Sequence, residues 1–93
     1  METATTVRII VKGKVQGVFF RQSTREEALA LGLTGSVENL PDSTVQILAS
    51  GPSAAISHLL AWCRKGPPRA RVESVHITSI APIHFEGFQI LRH

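Results

Sequence analysis

A chain of 93 residues, 43% apolar and 18% charged, is one small domain, 1–93, with an ordinary globular core; a second independent core and a disordered chain are both excluded. The single cysteine, Cys63, excludes an intramolecular disulfide and a multi-cysteine zinc site. Ten basic and seven acidic residues leave a net charge of +3, too mild for a dedicated nucleic-acid binder but suited to a small anion.

The charge is uneven. Residues 1–47 carry five charges of each sign, so the surplus lies in the second half, where Arg64, Lys65, Arg69 and Arg71 surround a helix end as a solvated surface. Met1–Ile10 includes Glu2 and lacks the basic-then-apolar layout of a signal peptide. No run approaches the ~18 apolar residues of a membrane span. Nothing demands an oxidising compartment, so the cytoplasm is the expected location.

In chain order, the β-branched run Val7–Val11 predicts a buried strand ending at Gly13. A glycine-punctuated segment, Gly13–Arg21, follows. Ser23-Thr-Arg-Glu26 has the form of a capping box and predicts a helix from there to Gly32, with Ala28, Leu29 and Leu31 on it. Ser36–Leu40 and Thr44–Ala49 predict two strands joined across Pro41-Asp42-Ser43 as a hairpin. Gly51-Pro52-Ser53 opens a second helix on which Ile56, Leu59, Leu60 and Cys63 share one stripe. Gly66-Pro67-Pro68 ends it. Val72–Ile80 and Phe85–Leu91 predict the last two strands, closing an ordered core of about 6–92.

Two right-handed β–α–β halves in this order pack two helices on one face of an antiparallel sheet. The expected fold is α+β, a ferredoxin-like βαββαβ sandwich. Fold alone assigns no function.

Chemistry concentrates in Gln16-Gly17-Val18-Phe19-Phe20-Arg21. A loop with glycine inside it, between a strand and a helix start, can turn successive N–H groups inward as an anion nest. The positive end of the helix lies beside it. Arg21 adds a planar fork of donors that matches two phosphate oxygens.

The string Gly13-x-Val15-Gln16-Gly17-Val18-x-Phe20-Arg21 resembles the signature of the acylphosphatase family. Gly35-x-Val37-x-Asn39 followed by Val45, and Gly66-Pro-Pro-Arg-Ala-Arg-Val72, extend the resemblance over about residues 7–92. It implies hydrolysis of the carboxyl–phosphate anhydride of an acyl phosphate to a carboxylate and inorganic phosphate by direct attack of water. It also implies that Arg21 binds the phosphoryl group, that Asn39 holds the attacking water, and that the amides of Gln16, Gly17, Val18, Phe19 and Phe20 cradle the phosphate. No metal, cofactor or covalent phosphoenzyme is implied; inorganic phosphate is product and competitive ligand, and a monomer suffices. Two positions depart from the family pattern: Ser36, where an aromatic residue is usual, and Ser43, where a turn glycine is usual.

Topology permits the two side chains to meet. In such a sheet the third strand lies between the first and second, antiparallel to both. The loop after the first strand and Asn39 at the end of the second therefore share one edge, roughly 10 Å apart at the backbone.

Other residues read blandly. Phe19 and Phe20 read as core, Cys63 as a small buried hydrophobe, and His58, His76, His84 and His93 lack ligand spacing. The alternatives are a non-catalytic or carbamoyl-phosphate-handling module, since a similar domain begins hydrogenase maturation proteins, and a single-stranded RNA binder. The chain's end at residue 93 favours a free-standing enzyme over the first. The second would place aromatics on central strands, and Val7–Val11 and Val72–Ile80 have none.

Overall fold

A computed structural model describes residues 4–92; Glu2 of the N-terminal reading and His93 lie outside the described residues. Seven elements follow in order: β1 (Thr5–Lys14), α1 (Phe20–Ala30), β2 (Thr34–Asn39), β3 (Val45–Gly51), α2 (Ser53–Lys65), β4 (Arg71–Ile80) and β5 (Phe88–Leu91). The sheet order is β4-β1-β3-β2-β5.

β3 runs antiparallel to both β1 and β2, with Ile9 opposite Ile47 and Val37 opposite the same Ile47. β1 and β2 are therefore parallel, and their C-terminal ends share an edge. β5 pairs with β2 in parallel, so the sheet is mixed where uniform antiparallel pairing was expected. The α+β, ferredoxin-like architecture with two helices on one sheet stands.

Period-two alternation turns Val7, Ile9 and Val11 of β1 and Val45, Ile47 and Ala49 of β3 toward the helices, all buried. From α2, the stripe Ile56, Leu59 and Cys63 meets them as the spacing predicts, with Leu60 at its margin. Phe20, Thr24 and Ala28 do the same from α1. Phe20 is 1% exposed, and its ring centroid lies 5.5 Å from that of Trp62 at a 54° tilt.

That packing accounts for one correction. α1 begins at Phe20, three residues before the predicted cap, and Ser23 is an interior helical residue whose N–H donates to the Phe19 carbonyl at 3.0 Å. Fully burying a phenylalanine side chain is worth about 1.5–3 kcal/mol, against about 1 kcal/mol for a serine cap. Packing wins, and the capping box goes unused. Thr24 instead donates to the Phe20 carbonyl at 2.7 Å. β5 is also shorter than expected, because the chain turns at Gly87 with φ 68° before pairing begins.

Candidate active site

The segment between β1 and α1 is pinned from both sides. Its side chains at Val15, Val18 and Phe20 are buried, while Gly17 and Phe19 face outward. At Gly13 the pairing of β1 with β4 shifts register, and φ is 129°. A Cβ there would collide with the carbonyl oxygen of Arg71, so only glycine lets β4 pass. Gly17 takes φ 74°, and Phe19, the residue capping α1, takes φ 62° and ψ 23°, a left-handed conformation rare for an aromatic.

Two left-handed residues in one short loop turn the main-chain amides toward a common side. Among the described residues, no backbone carbonyl accepts from the N–H groups of Gly17 to Gln22. Those of Phe20, Arg21 and Gln22 are the free donors that every helix presents at its first turn. Arg21 thus sits on the helix terminus itself rather than ahead of it, and its guanidinium adds to the positive end of α1.

Asn39 ends β2, opposite Val45. The turn that follows is held by Ser43 N–H donating to the Leu40 carbonyl at 3.1 Å and Leu40 N–H donating to the Thr44 carbonyl at 2.9 Å. Ser43 has φ 73°, which together with those bonds fits a three-residue hairpin loop with a left-handed final position. The carboxylate of Asp42 accepts from the Thr44 N–H at 3.1 Å and its hydroxyl at 2.6 Å, which holds the Asp42 carboxyl below the usual carboxylate range.

Gln16 joins the two segments. Its side-chain amide donates to the carbonyls of Leu40 and Thr44, each at 2.9 Å. The loop after β1 is thereby fastened to the residue next to Asn39.

Between them lies a cleft of ≈ 310 Å³ lined by Gly17, Phe19, Phe20, Arg21 and Asn39 of the predicted residues. Asn39 Oδ1 is buried there and accepts no hydrogen bond among the described residues. A buried polar atom left so costs about 1–3 kcal/mol, which is why native structures seldom keep one without a use. Arg21, half-buried, has no acid beside it: among the described residues the one ion pair joins His84 to Glu86, both fully on the surface. Arg21, Gly17 and Asn39 line one small space, and the unengaged amides of the α1 terminus belong to the same segment as Arg21. Such a set has the donors that suit a tetrahedral anion.

Two predicted residues, Gln16 and Val18, are not among those lining the cleft: the Gln16 side chain turns to the hairpin and Val18 is in the core. Phe19 departs from the core reading and is 69% exposed, because its left-handed backbone turns the ring outward. Cys63 is buried away from the cleft, and that burial pushes its thiol up to about 12.

Sequence reasoning missed Val15, Gln22, Ile90 and Arg92, all of which line the cleft. Arg92 owes its place to a pairing that the antiparallel expectation did not include. β5 lies beside β2 in parallel, so the residue following β5 arrives at the edge where Asn39 ends β2.

A family model described as Acylphosphatase matches residues 7–90. An acylphosphatase of Gloeobacter violaceus is 46% identical over 92 residues, covering 99% of both chains. An acylphosphatase structure from Coxiella burnetii superposes with a TM-score of 0.92 at 40% identity, over 95% of this chain and 93% of that one. One from Bacillus subtilis gives 0.91 at 34% identity, over 97% and 100%.

Proposed function

This chain belongs to the acylphosphatase family, hydrolases that split the carboxyl–phosphate anhydride of acyl phosphates, and we propose that its own reaction is run by Arg21, Asn39 and the loop amides of Gln16 to Phe20. The single observation carrying that assignment is that Arg21, Gly17 and Asn39, residues from two separate segments, line one cleft.

The phosphoryl group enters against the N–H groups of the loop and the first turn of α1. Arg21 grips two of its oxygens through the guanidinium fork. Asn39 Oδ1 accepts one proton of a water and aims its oxygen at phosphorus. The water oxygen bonds to phosphorus as the bond from phosphorus to the acyl oxygen breaks. The carboxylate leaves with that electron pair, and the water's proton passes to a phosphoryl oxygen. Asn39 is no base; it orients. The substrate is already activated, so positioning and charge neutralisation suffice, each well-aimed donor contributing about 2.7–4 kcal/mol.

Inorganic phosphate is then product and competitive ligand. One chain supplies every group named, so a monomer suffices, and no step calls for a metal or cofactor. A lone buried cysteine suits a cytoplasmic location.

The test is turnover of benzoyl phosphate with inorganic phosphate as competitor. Arg21→Lys keeps the charge but loses the fork, and activity should fall about 100-fold or more. Asn39→Ala should lose turnover while keeping its affinity for phosphate. Turnover close to wild type in either variant would overturn the corresponding role.

A further inference from the structure

The cleft continues past the phosphate-binding loop. On the far side of Asn39 lies a groove of ≈ 470 Å³ lined by Leu40, Pro41, Leu91 and Arg92, and it shares Arg21, Asn39 and Arg92 with the cleft itself. Its floor is apolar: Leu91 is 37% exposed at the end of β5, and Pro41 is exposed in the hairpin turn. The loop residues Gly17, Phe19 and Phe20 line the cleft but not this groove, which leaves the groove as space for the acyl group of a ligand whose phosphoryl end they hold.

Among the described residues, two guanidinium groups and no Asp or Glu line the combined space. Among the described residues Arg92 has neither an ion pair nor a hydrogen-bond partner. A phosphoryl group held by Arg21 and the amides leaves the second cation unmatched at the rim of the acyl groove. An uncompensated pair of like charges favours a ligand that brings further negative charge.

We infer that Arg92 is a specificity-determining residue which selects acyl phosphates bearing a second anionic group on the acyl side, a carboxylate above all. The apolar floor takes the carbon skeleton and Arg92 meets the distal anion. This rests on the assignment of the phosphate to Arg21 and the loop.

The test compares benzoyl phosphate with its meta- and para-carboxybenzoyl analogues, whose rigid rings keep the added carboxylate from attacking the anhydride. The wild type should favour at least one analogue in kcat/KM by about tenfold, the value of one charge-assisted contact at a partly exposed site. That preference should shrink with added salt. Arg92→Gln should abolish it, and Arg92→Lys should retain most of it.

Because the readout is a ratio between two substrates on the same protein, a general loss of structure does not move it. A wild type indifferent to the carboxylate overturns the inference. So does a preference that survives Arg92→Gln, or an equal loss on all three substrates, which would make Arg92 part of the phosphate site instead. Failure of the wild type to hydrolyse any of the three would fall on the catalytic reading itself.

Discussion

The side-chain amide of Gln16 donates to the carbonyl of Leu40 at 2.9 Å, and through that bond the loop that bears the unengaged amides is fixed to the residue following Asn39. Gln16 and Leu40, which join the loop to the segment of Asn39, lie 24 positions apart in the chain. Strand pairing through β3 sets the distance between the ends of β1 and β2, but the loop beyond β1 needs a tether of its own. Gln16 supplies that constraint.

Gln16→Leu should therefore lose activity out of proportion to stability. Both acceptor carbonyls keep a main-chain partner, from Ser43 and Leu40, so neither is orphaned. The stability loss should stay near 1–2 kcal/mol for two neutral hydrogen bonds. A displacement of Asn39 of about 1 Å can cost 100-fold in rate. We expect kcat to fall at least about tenfold while the melting temperature drops only modestly. Unchanged kcat at a lowered melting temperature would reduce Gln16 to a structural brace.

Much of this was legible in the sequence, and the misses have physical causes. Alternating β-branched residues placed β1 and β3, and the stripe Ile56, Leu59 and Cys63 placed α2, because burial dictates those patterns directly. The string from Gly13 to Arg21 announced its loop, since Gly13 and Gly17 sit where φ is positive. The start of α1 was misread because Ser23 to Glu26 satisfy a local rule that the packing of Phe20 against Trp62 overrides. Phe19 looked like core because sequence carries no sign of a left-handed aromatic. Arg92 stayed hidden because its position depends on β5 pairing in parallel beside β2, a relation between segments about fifty residues apart in the chain.

The Asp42–Thr44 contact gives the hairpin a pH dependence with a definite sign. The Thr44 hydroxyl is the main cause, with the Thr44 N–H second, of a carboxyl held below its ordinary 3.8. A lowered folded value means that the contact stabilises the turn above the unfolded pKa, and that this support is lost as pH falls through the folded value. A carboxyl titration by NMR should find Asp42 below 3.8 in the wild type. Thr44→Val, which removes the hydroxyl donor from a buried residue of equal shape, should move it upward. An Asp42 value indifferent to that substitution would show that the hydroxyl bond does not persist in solution.

Cys63 should be inert while the protein is folded. Its side chain is fully buried on α2, and desolvation pushes the thiol up to about 12, so thiolate is scarce at neutral pH. A disulfide reagent should leave native protein unlabelled and react promptly once denaturant exposes the site. Cys63→Ala should hydrolyse benzoyl phosphate like the wild type, whereas Cys63→Ser should be the less stable of the two, having buried a hydroxyl. Rapid labelling of native protein would mean that α2 opens from the sheet far more readily than its packing implies.

Ser43 holds φ 73° at the last position of the hairpin loop, a conformation that glycine adopts freely and serine does not. The strain of a non-glycine residue there is about 1–2 kcal/mol. Glycine gives back part of that through a freer unfolded chain, about 0.4–1 kcal/mol. Ser43→Gly should therefore stabilise the protein by about 0.5–1 kcal/mol, raising the melting temperature by about 3–6 °C for a domain of this size. Ser43→Val should do the reverse, because a β-branched side chain tolerates this region worst. Neither change touches the cleft, and the bond from Ser43 N–H to Leu40 is made by the main chain, so kcat should hold within about twofold for Ser43→Gly. If both variants melted with the wild type, the turn would not keep its left-handed residue in solution, and the brace it gives to Asn39 would have to come from Gln16 alone.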